Sequence, residues 1–441
     1  MKKVLSLCLA LAMVLTMGFA NVTFAEDEQI TLTYLNWNGG EEARLQQEAI
    51  DEYMAANPNI VIEGQWITEQ YDAKINTMAA ANELPDIYYI NEYLAAEWGN
   101  KGVAAELGPI FADIGVDLDA EFVPTALFRD GERIYGVATG PVCGLLYYNK
   151  AMFDAKGLEY PSRDPFNPWT WDQYVEAARA LTVDANGKSP GDEGFNAKQI
   201  RSYGTLATTF WLFFQPLLYS AGVSYANEDA NGTGLDNSDA KMVIQAVADL
   251  ILVDQVAPDA GMQQQFPGSS QAFNNMQLGM SISGTWEFQN FVKEGSDFGV
   301  APLPSFDKPS NIAWAAANQI AEQSEHKEEA AKFLYFLINP DLNPRQLAIN
   351  NPPTKIWYTD PERFATWTAG DAYTDDFRAV VPTIMTQIAV TPENVYLKNF
   401  FEVVGTITQQ ELDKVFAGDQ TVDEAIENII ELSDGKWQGK W

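Results

Sequence analysis

Ile30-Thr31-Leu32-Thr33-Tyr34-Leu35-Asn36-Trp37-Asn38-Gly39-Gly40 decides the fold. Ile30, Leu32 and Tyr34 point one way, and Thr31 and Thr33 the other. That is the two-residue period of a strand, and the run ends in turn residues. A helix follows with Leu45, Ala49, Ile50, Tyr53 and Met54 on one side, and Asn57-Pro58 stops it. A second strand runs from Ile60 to Trp66, and a second helix lies near Glu69–Ala81. Leu84-Pro85-Asp86 then leads into the apolar strand Ile87–Ile90, which ends at Asn91-Glu92-Tyr93. Strand, helix, strand, helix, strand means a parallel sheet. In such sheets ligands bind beyond the carboxyl ends of the strands, where Trp37-Asn38 and Asn91-Glu92 both stand.

After Arg133 the pattern changes. Tyr135-Gly136-Val137-Ala138 leads through Gly140-Pro141, read as close to a domain crossing, into Leu145-Leu146-Tyr147-Tyr148-Asn149-Lys150. Thr170 and Gln173 form a capping box for a helix carrying Tyr174, Ala177, Ala178 and Leu181. Asp184–Asn196 is a polar, glycine-containing surface loop, and Thr205–Gly222 is aromatic and apolar. Ser238 begins an amphipathic helix with Val243, Val247, Leu250 and Ile251. A strand near Phe298–Pro302 is expected to cross back. A helix with Ala330, Phe333, Leu334 and Leu337 follows. Thr421 and Glu424 cap the last helix, whose apolar stripe is Val422, Ala425, Ile426 and Ile429.

A chain of 441 residues is too long for one ordinary core, so two domains are expected. Lys2 and Lys3, the apolar run Val4–Ala20 and the small residues Thr23 and Ala25 read as a secretory signal cut after Ala25. Cys8 follows Leu7 and sits too early for a lipid anchor, so none is expected. Cys143 is then the only remaining cysteine, read as a small buried apolar residue with no disulfide partner. No later segment is long and apolar enough to span a bilayer. The net charge of −34 repels phosphate backbones and argues against nucleic acid.

The single histidine, His326, lies in Ser324-Glu325-His326-Lys327-Glu328, read as a solvated helix start, which argues against a His-based catalytic triad, and one histidine excludes a His-rich zinc site. Asp184-Ala185-Asn186-Gly187-Lys188 hints at a calcium loop but fails the EF-hand pattern at Lys188 and Ser189. No metal and no cofactor are expected. By contrast, 12 Trp, 18 Tyr and 24 Phe give many flat rings of the kind that stack on sugar faces.

Several blocks share one likeness. They are Ile30–Gly40 with its helix, Leu84-Pro85-Asp86-Ile87-Tyr88-Tyr89, and Tyr135-Gly136-Val137 through Lys150. To these add Phe273–Trp286 ending Gly284-Thr285-Trp286, Phe298–Pro304, and the Thr421–Ile430 helix. In order and spacing they resemble the extracellular solute-binding proteins of bacterial ABC importers, of the maltodextrin-binding, family 1 kind. The resemblance implies an α/β, two-lobed, periplasmic-binding-protein-like (type II) fold with a ligand cleft between lobes. After the signal peptide (1–25), the lobes are expected at 26–139 plus 301–339 and at 140–300 plus 340–441. The implied function is an extracytoplasmic carbohydrate-binding receptor, not an enzyme. It would close on a sugar or oligosaccharide and deliver it, as a monomer, to the membrane permease of an ABC importer. Many relatives carry a lipobox that this chain lacks, which leaves both a periplasmic and a released form open.

The expected ligand-binding residues are Trp37, Asn38, Asn91, Glu92, Tyr147, Trp211, Trp286, Glu287, Trp314 and Trp357. Trp286 is the foremost, a stacking platform at a strand end. Glu287 would accept sugar hydroxyl protons. Of Phe210-Trp211-Leu212-Phe213-Phe214, one ring is expected to face the cleft while the others pack; Tyr147 could equally be core. Two rivals stand beside this reading. One is a secreted glycoside hydrolase working with two carboxylates. The other keeps the fold and binds a polyamine, metal or peptide.

Overall fold

The computed structural model describes residues 29–349, 351–369 and 373–441; the expected signal peptide lies outside them. In chain order the first strands are β1 (Ile30–Asn36), β2 (Ile60–Trp66), β3 (Ile87–Ile90), β4 (Leu127–Asp130), β5 (Arg133–Ala138) and β6 (Val142–Asn149). They continue with β7 (Val183–Asp184), β8 (Ile200–Ser202), β9 (Met280–Gly284), β10 (Phe298–Ala301), β11 (Asn311–Trp314), β12 (Ala317–Ile320) and β13 (Ala389–Val390).

The first large sheet has the order β2-β1-β3-β12-β5-β4, with β1 parallel to both β2 and β3. Helices Gly40–Ala56 and Tyr71–Ala81 make the two connections that the alternation predicts. Asp86, just ahead of β3, ties this sheet together. Its Oδ2 accepts the Thr33 N–H at 2.8 Å and the Thr33 hydroxyl at 2.7 Å, while Oδ1 accepts the Ser324 hydroxyl at 2.6 Å.

The second sheet has the order β10-β6-β11-β13, with β9 also paired to β6. As its central strand, β6 is buried on both faces. Cys143, Leu145 and Tyr147 enter one apolar cluster, and Leu146 and Tyr148 the other, as a two-residue period requires. The first cluster runs from the first sheet onto one face of the second. The other fills the opposite face with helices Trp171–Leu181, Trp211–Ser220, Ser238–Leu252 and Val422–Ser433. Both expected capping boxes, Thr170 with Gln173 and Thr421 with Glu424, are complete.

The chain passes from sheet to sheet between β5 and β6, at Thr139-Gly140-Pro141, and again between β11 and β12, at Ala315-Ala316. Phe298–Ala301, expected at the return crossing, is β10 and pairs antiparallel with β6 inside the second sheet. Amides from elsewhere in the chain pin the first crossing. Asn318 donates to the Thr139 hydroxyl at 2.7 Å, Gln346 to the Thr139 carbonyl at 2.6 Å, and Asn351 to the Pro141 carbonyl at 3.0 Å.

Asp184 is buried at the head of its loop. Its carboxylate accepts the N–H groups of Asn186, Lys188 and Asn196 at 2.8, 2.9 and 2.9 Å. Burial works against its charge, yet these backbone donors hold its carboxyl below the ordinary range. The loop is organised around its own backbone.

Candidate functional site

The first wall of the site stands where β1 and β3 end. Buried Asn36 donates its amide to the Tyr34 hydroxyl at 2.7 Å, and its Oδ1 accepts the Asn38 N–H at 2.7 Å. This fixes the turn that presents Trp37. The indole packs on the Tyr89 ring at 4.4 Å and edge-on to Tyr71 at 5.2 Å. The Tyr71 hydroxyl donates to the Tyr89 carbonyl. Asn91, at the head of helix Glu92–Asn100, donates its amide to Asp72 at 2.8 Å. Trp37, Tyr71, Asp72 and Asn91 line an open pocket of about 390 Å³.

Carboxylates rim this wall. Burial pushes the Glu92 carboxyl above its ordinary range, the nearby Asp72 charge adds to the shift, and a hydrogen bond from Asn394 opposes it. Burial also raises Glu42.

The second wall stands on the other sheet. Trp286 follows β9 and is 44% exposed. Its ring folds back over Gly284, where a Cβ would fall 2.0 Å from the indole. Trp286 meets Trp314 edge-on at 5.3 Å and Phe213 at 5.8 Å. From Phe213 the row of rings continues to Phe210 at 6.4 Å, from there to Trp211 at 5.2 Å, and on to Phe401 at 5.8 Å.

The walls meet at the Phe401 end, where Tyr93 lies 4.3 Å from Phe401 and the Asn394 amide donates to Glu92 at 2.8 Å. At the other end Glu42 and Trp286 line a shared cavity of about 290 Å³ with Thr285, Gln289, Asn290 and Asn351. Asn351 donates to both the Pro141 carbonyl and the Thr285 hydroxyl, so it links the crossing to the residue before Trp286.

The ten expected residues therefore divide. Trp37, Asn38, Asn91 and Glu92 stand on the first wall, and Trp286 with the half-buried Glu287 on the second. Asn290 donates to Glu287 at 3.3 Å. Trp314, 9% exposed, supports Trp286 from beneath. Trp211 packs inward; its backbone N–H donates to Gln409 at 2.8 Å and its ring lies 4.9 Å from Phe400. Tyr147 is sealed in the core rather than open to the cleft. Its hydroxyl donates to the Gly284 carbonyl at 2.9 Å, and its ring stacks on Phe291 at 4.7 Å. Trp357 is likewise buried, in the first apolar cluster.

Phe210 and Phe213 belong to the run from which one ring is expected in the cleft, although Trp211 is the one named; Phe401 and Tyr71 are not singled out in the sequence. Phe210 and Phe213 are three apart, at the start of a helix whose other side carries the buried Trp211, Phe214, Leu217 and Leu218. Three-residue spacing groups Phe210 with Phe213 and Trp211 with Phe214; which pair is exposed is set by tertiary packing.

Comparison with known proteins agrees with this architecture. Residues 36–344 match the family model for bacterial extracellular solute-binding proteins. An arabinooligosaccharide-binding protein of Halalkalibacterium halodurans is 26% identical over 251 residues, 54% of this chain and 49% of that protein. The match thus spans about half the length of that relative. A putative binding protein of Brucella abortus is 23% identical over 347 residues, 73% of this chain and 77% of its own. Among solved structures, an ABC substrate-binding protein of Listeria monocytogenes in complex with cycloalternan aligns with a TM-score of 0.74 at 21% identity, covering 92% of this chain and 98% of that one. The maltose/maltodextrin-binding domain of Bdellovibrio bacteriovorus, bound to maltotriose, aligns with a TM-score of 0.66 at 18% identity, covering 92% and 99%. These likenesses establish the two-lobed α/β fold. With well over half of its length matched by the family model, the chain belongs to the bacterial extracellular solute-binding proteins.

Proposed function

We propose that this protein is a carbohydrate receptor of an ABC importer. It captures a sugar or oligosaccharide between its lobes, leaves it chemically unchanged, and hands it to the membrane permease outside the cytoplasm. One observation carries the reading: the exposed Trp286 ring, backed by Trp314 and Phe213, faces a cavity shared with Glu42 of the other lobe. A neutral polyol needs aromatic faces and directed hydrogen bonds, enclosed away from water. Each wall supplies part of the set, so ligand favours the closed arrangement by its contacts to both. The relatives' arabinooligosaccharide, cycloalternan and maltotriose are all saccharides.

The same reading places residues 26–139 in the first lobe and 140–300 with 340–441 in the second; of 301–339, expected in the first lobe, β11 (Asn311–Trp314) pairs in the second sheet instead, and β12 (Ala317–Ile320) in the first. It also takes the chain as a monomer, exported by the Met1–Ala25 signal and without a lipid anchor. A thermal-shift screen against mono- and oligosaccharides tests it. A raised melting temperature with a subset of saccharides is expected; a flat response to all of them, with a shift for a polyamine or peptide, would move the ligand to another class.

A further inference from the structure

We propose that the cleft, on the receptor reading above, selects saccharides that carry no negative charge, and that Glu42, Asp72 and Glu92 are the residues that set this selection. Among the described residues, those lining the two cleft pockets include Glu42 and Asp72 but no Lys or Arg. Cations are used in pockets elsewhere: Lys150 and Arg163 approach Asp376 at 3.1 and 3.2 Å on the surface of the second lobe. Among the described residues, Asp72 and Glu92 take neutral amide partners. Asp72 accepts from the Asn91 amide and Glu92 from the Asn394 amide.

Asp72 lines the Trp37 pocket, Glu92 follows Asn91 at its edge, and Glu42 lines the cavity with Trp286. Asp72 acts on Glu92, and both Glu42 and Glu92 act on the hydroxyl of Tyr89, the ring beneath Trp37. A carboxylate is an acceptor with no donor of its own, which suits a ligand made of hydroxyl groups. An anionic sugar held between the walls would instead bring a like charge close to these carboxylates. The overall acidity of the chain also repels anions, but that long-range term is screened beyond about 8 Å at physiological salt, whereas the cleft carboxylates act on a bound ligand within that distance.

Calorimetry on the full mature chain at physiological ionic strength tests the proposal. The probes are neutral malto-, xylo- and arabino-tetraose, set against tetragalacturonate and glucuronate-substituted xylotetraose. The expected result is a preference of at least about tenfold for a neutral probe over every acidic one. In the double variant Glu42→Gln, Asp72→Asn that preference should narrow by roughly threefold or more. In Glu63→Gln, Asp113→Asn, which removes the same charge from exposed positions outside the cleft, it should persist. Equal binding of acidic and neutral probes, or a preference unmoved by the cleft variant, overturns the proposal. Tight binding of an acidic probe alone overturns the charge selection while leaving the receptor reading standing; no binding of any saccharide overturns both.

Discussion

The ring of Tyr93 lies 4.3 Å from the ring of Phe401, and this contact joins helix Glu92–Asn100 beside the first sheet to the segment Phe400–Glu402 packed on the second. Next to it, Asn394 donates to Glu92. The two lobes touch here, while Glu42 and Trp286 stand apart across a cavity at the other end of the aromatic row. An aromatic pair of this kind is worth about 0.5–1.5 kcal/mol. Phe401→Ala should therefore shift the lobes toward a more open arrangement and weaken saccharide binding by about two- to tenfold. Calorimetry together with fluorescence energy transfer between labels on the two lobes reads both effects; unchanged affinity and spacing would remove the contact from the closing equilibrium.

Trp286→Ala should weaken binding at least about tenfold, because it removes the exposed indole that lines the cavity shared by the two walls. The melting temperature should move little, since the ring is only partly buried. Gly284→Ala should act in the same direction while keeping the indole's chemistry, because its new methyl takes the space into which the ring folds and displaces it. Retained affinity in both variants would place the ligand elsewhere.

Tyr147 should show the opposite pattern. Tyr147→Phe loses the hydrogen bond to the Gly284 carbonyl, at a cost of about 1 kcal/mol of stability. Tyr147→Ala leaves a cavity against Phe291 and should cost about 3–5 kcal/mol. Chemical denaturation measures both. A Tyr147→Phe variant with normal stability and much weaker binding would return Tyr147 to the ligand site.

Glu393 gives the fold a pH signature. It is buried beside Tyr225, Ser224, Tyr219, Tyr396 and Lys440, and burial pushes its carboxyl from the usual 4.5 up to about 7, against the hydrogen bond from the Tyr225 N–H at 3.1 Å. Between these two values the folded chain holds a proton that the unfolded chain has released. The stability contributed by protonated Glu393 is therefore present below about 4.5 and is lost as pH rises to about 7. Glu393→Gln should flatten that part of the stability profile; a slope identical to the parent's would dismiss the assignment.

Cys143 is free and fully buried, and burial drives its thiol far above the ordinary range. Native protein should resist maleimide at neutral pH, and protein in denaturant should label at one thiol per mature chain. Rapid native labelling would mean that β6 opens locally.

The sequence was most legible where period and capping chemistry are local. The β1–β3 alternation, the two capping boxes and the Gly284-Thr285-Trp286 strand end are set by residues within a few positions of each other. Tyr147 could not be settled in this way. In a strand buried on both faces nearly every residue is apolar, so alternation no longer says which side meets the cleft. Trp211 and Phe213 carry equally apolar rings, and only their tertiary neighbours, Phe400 for one and Trp286 for the other, separate packing from exposure. Phe401 escaped notice for the same reason: its role depends on Tyr93, a residue 308 positions away in the chain, and no local pattern couples them.

Native mass spectrometry of the mature chain, incubated with the saccharide that most raises its melting temperature, tests capture without chemistry most directly. The predicted spectrum shows one intact saccharide per chain, lost in Trp286→Ala and released unchanged on denaturation. Shortened saccharide in solution, or no bound species at concentrations that saturate the thermal shift, would contradict the account.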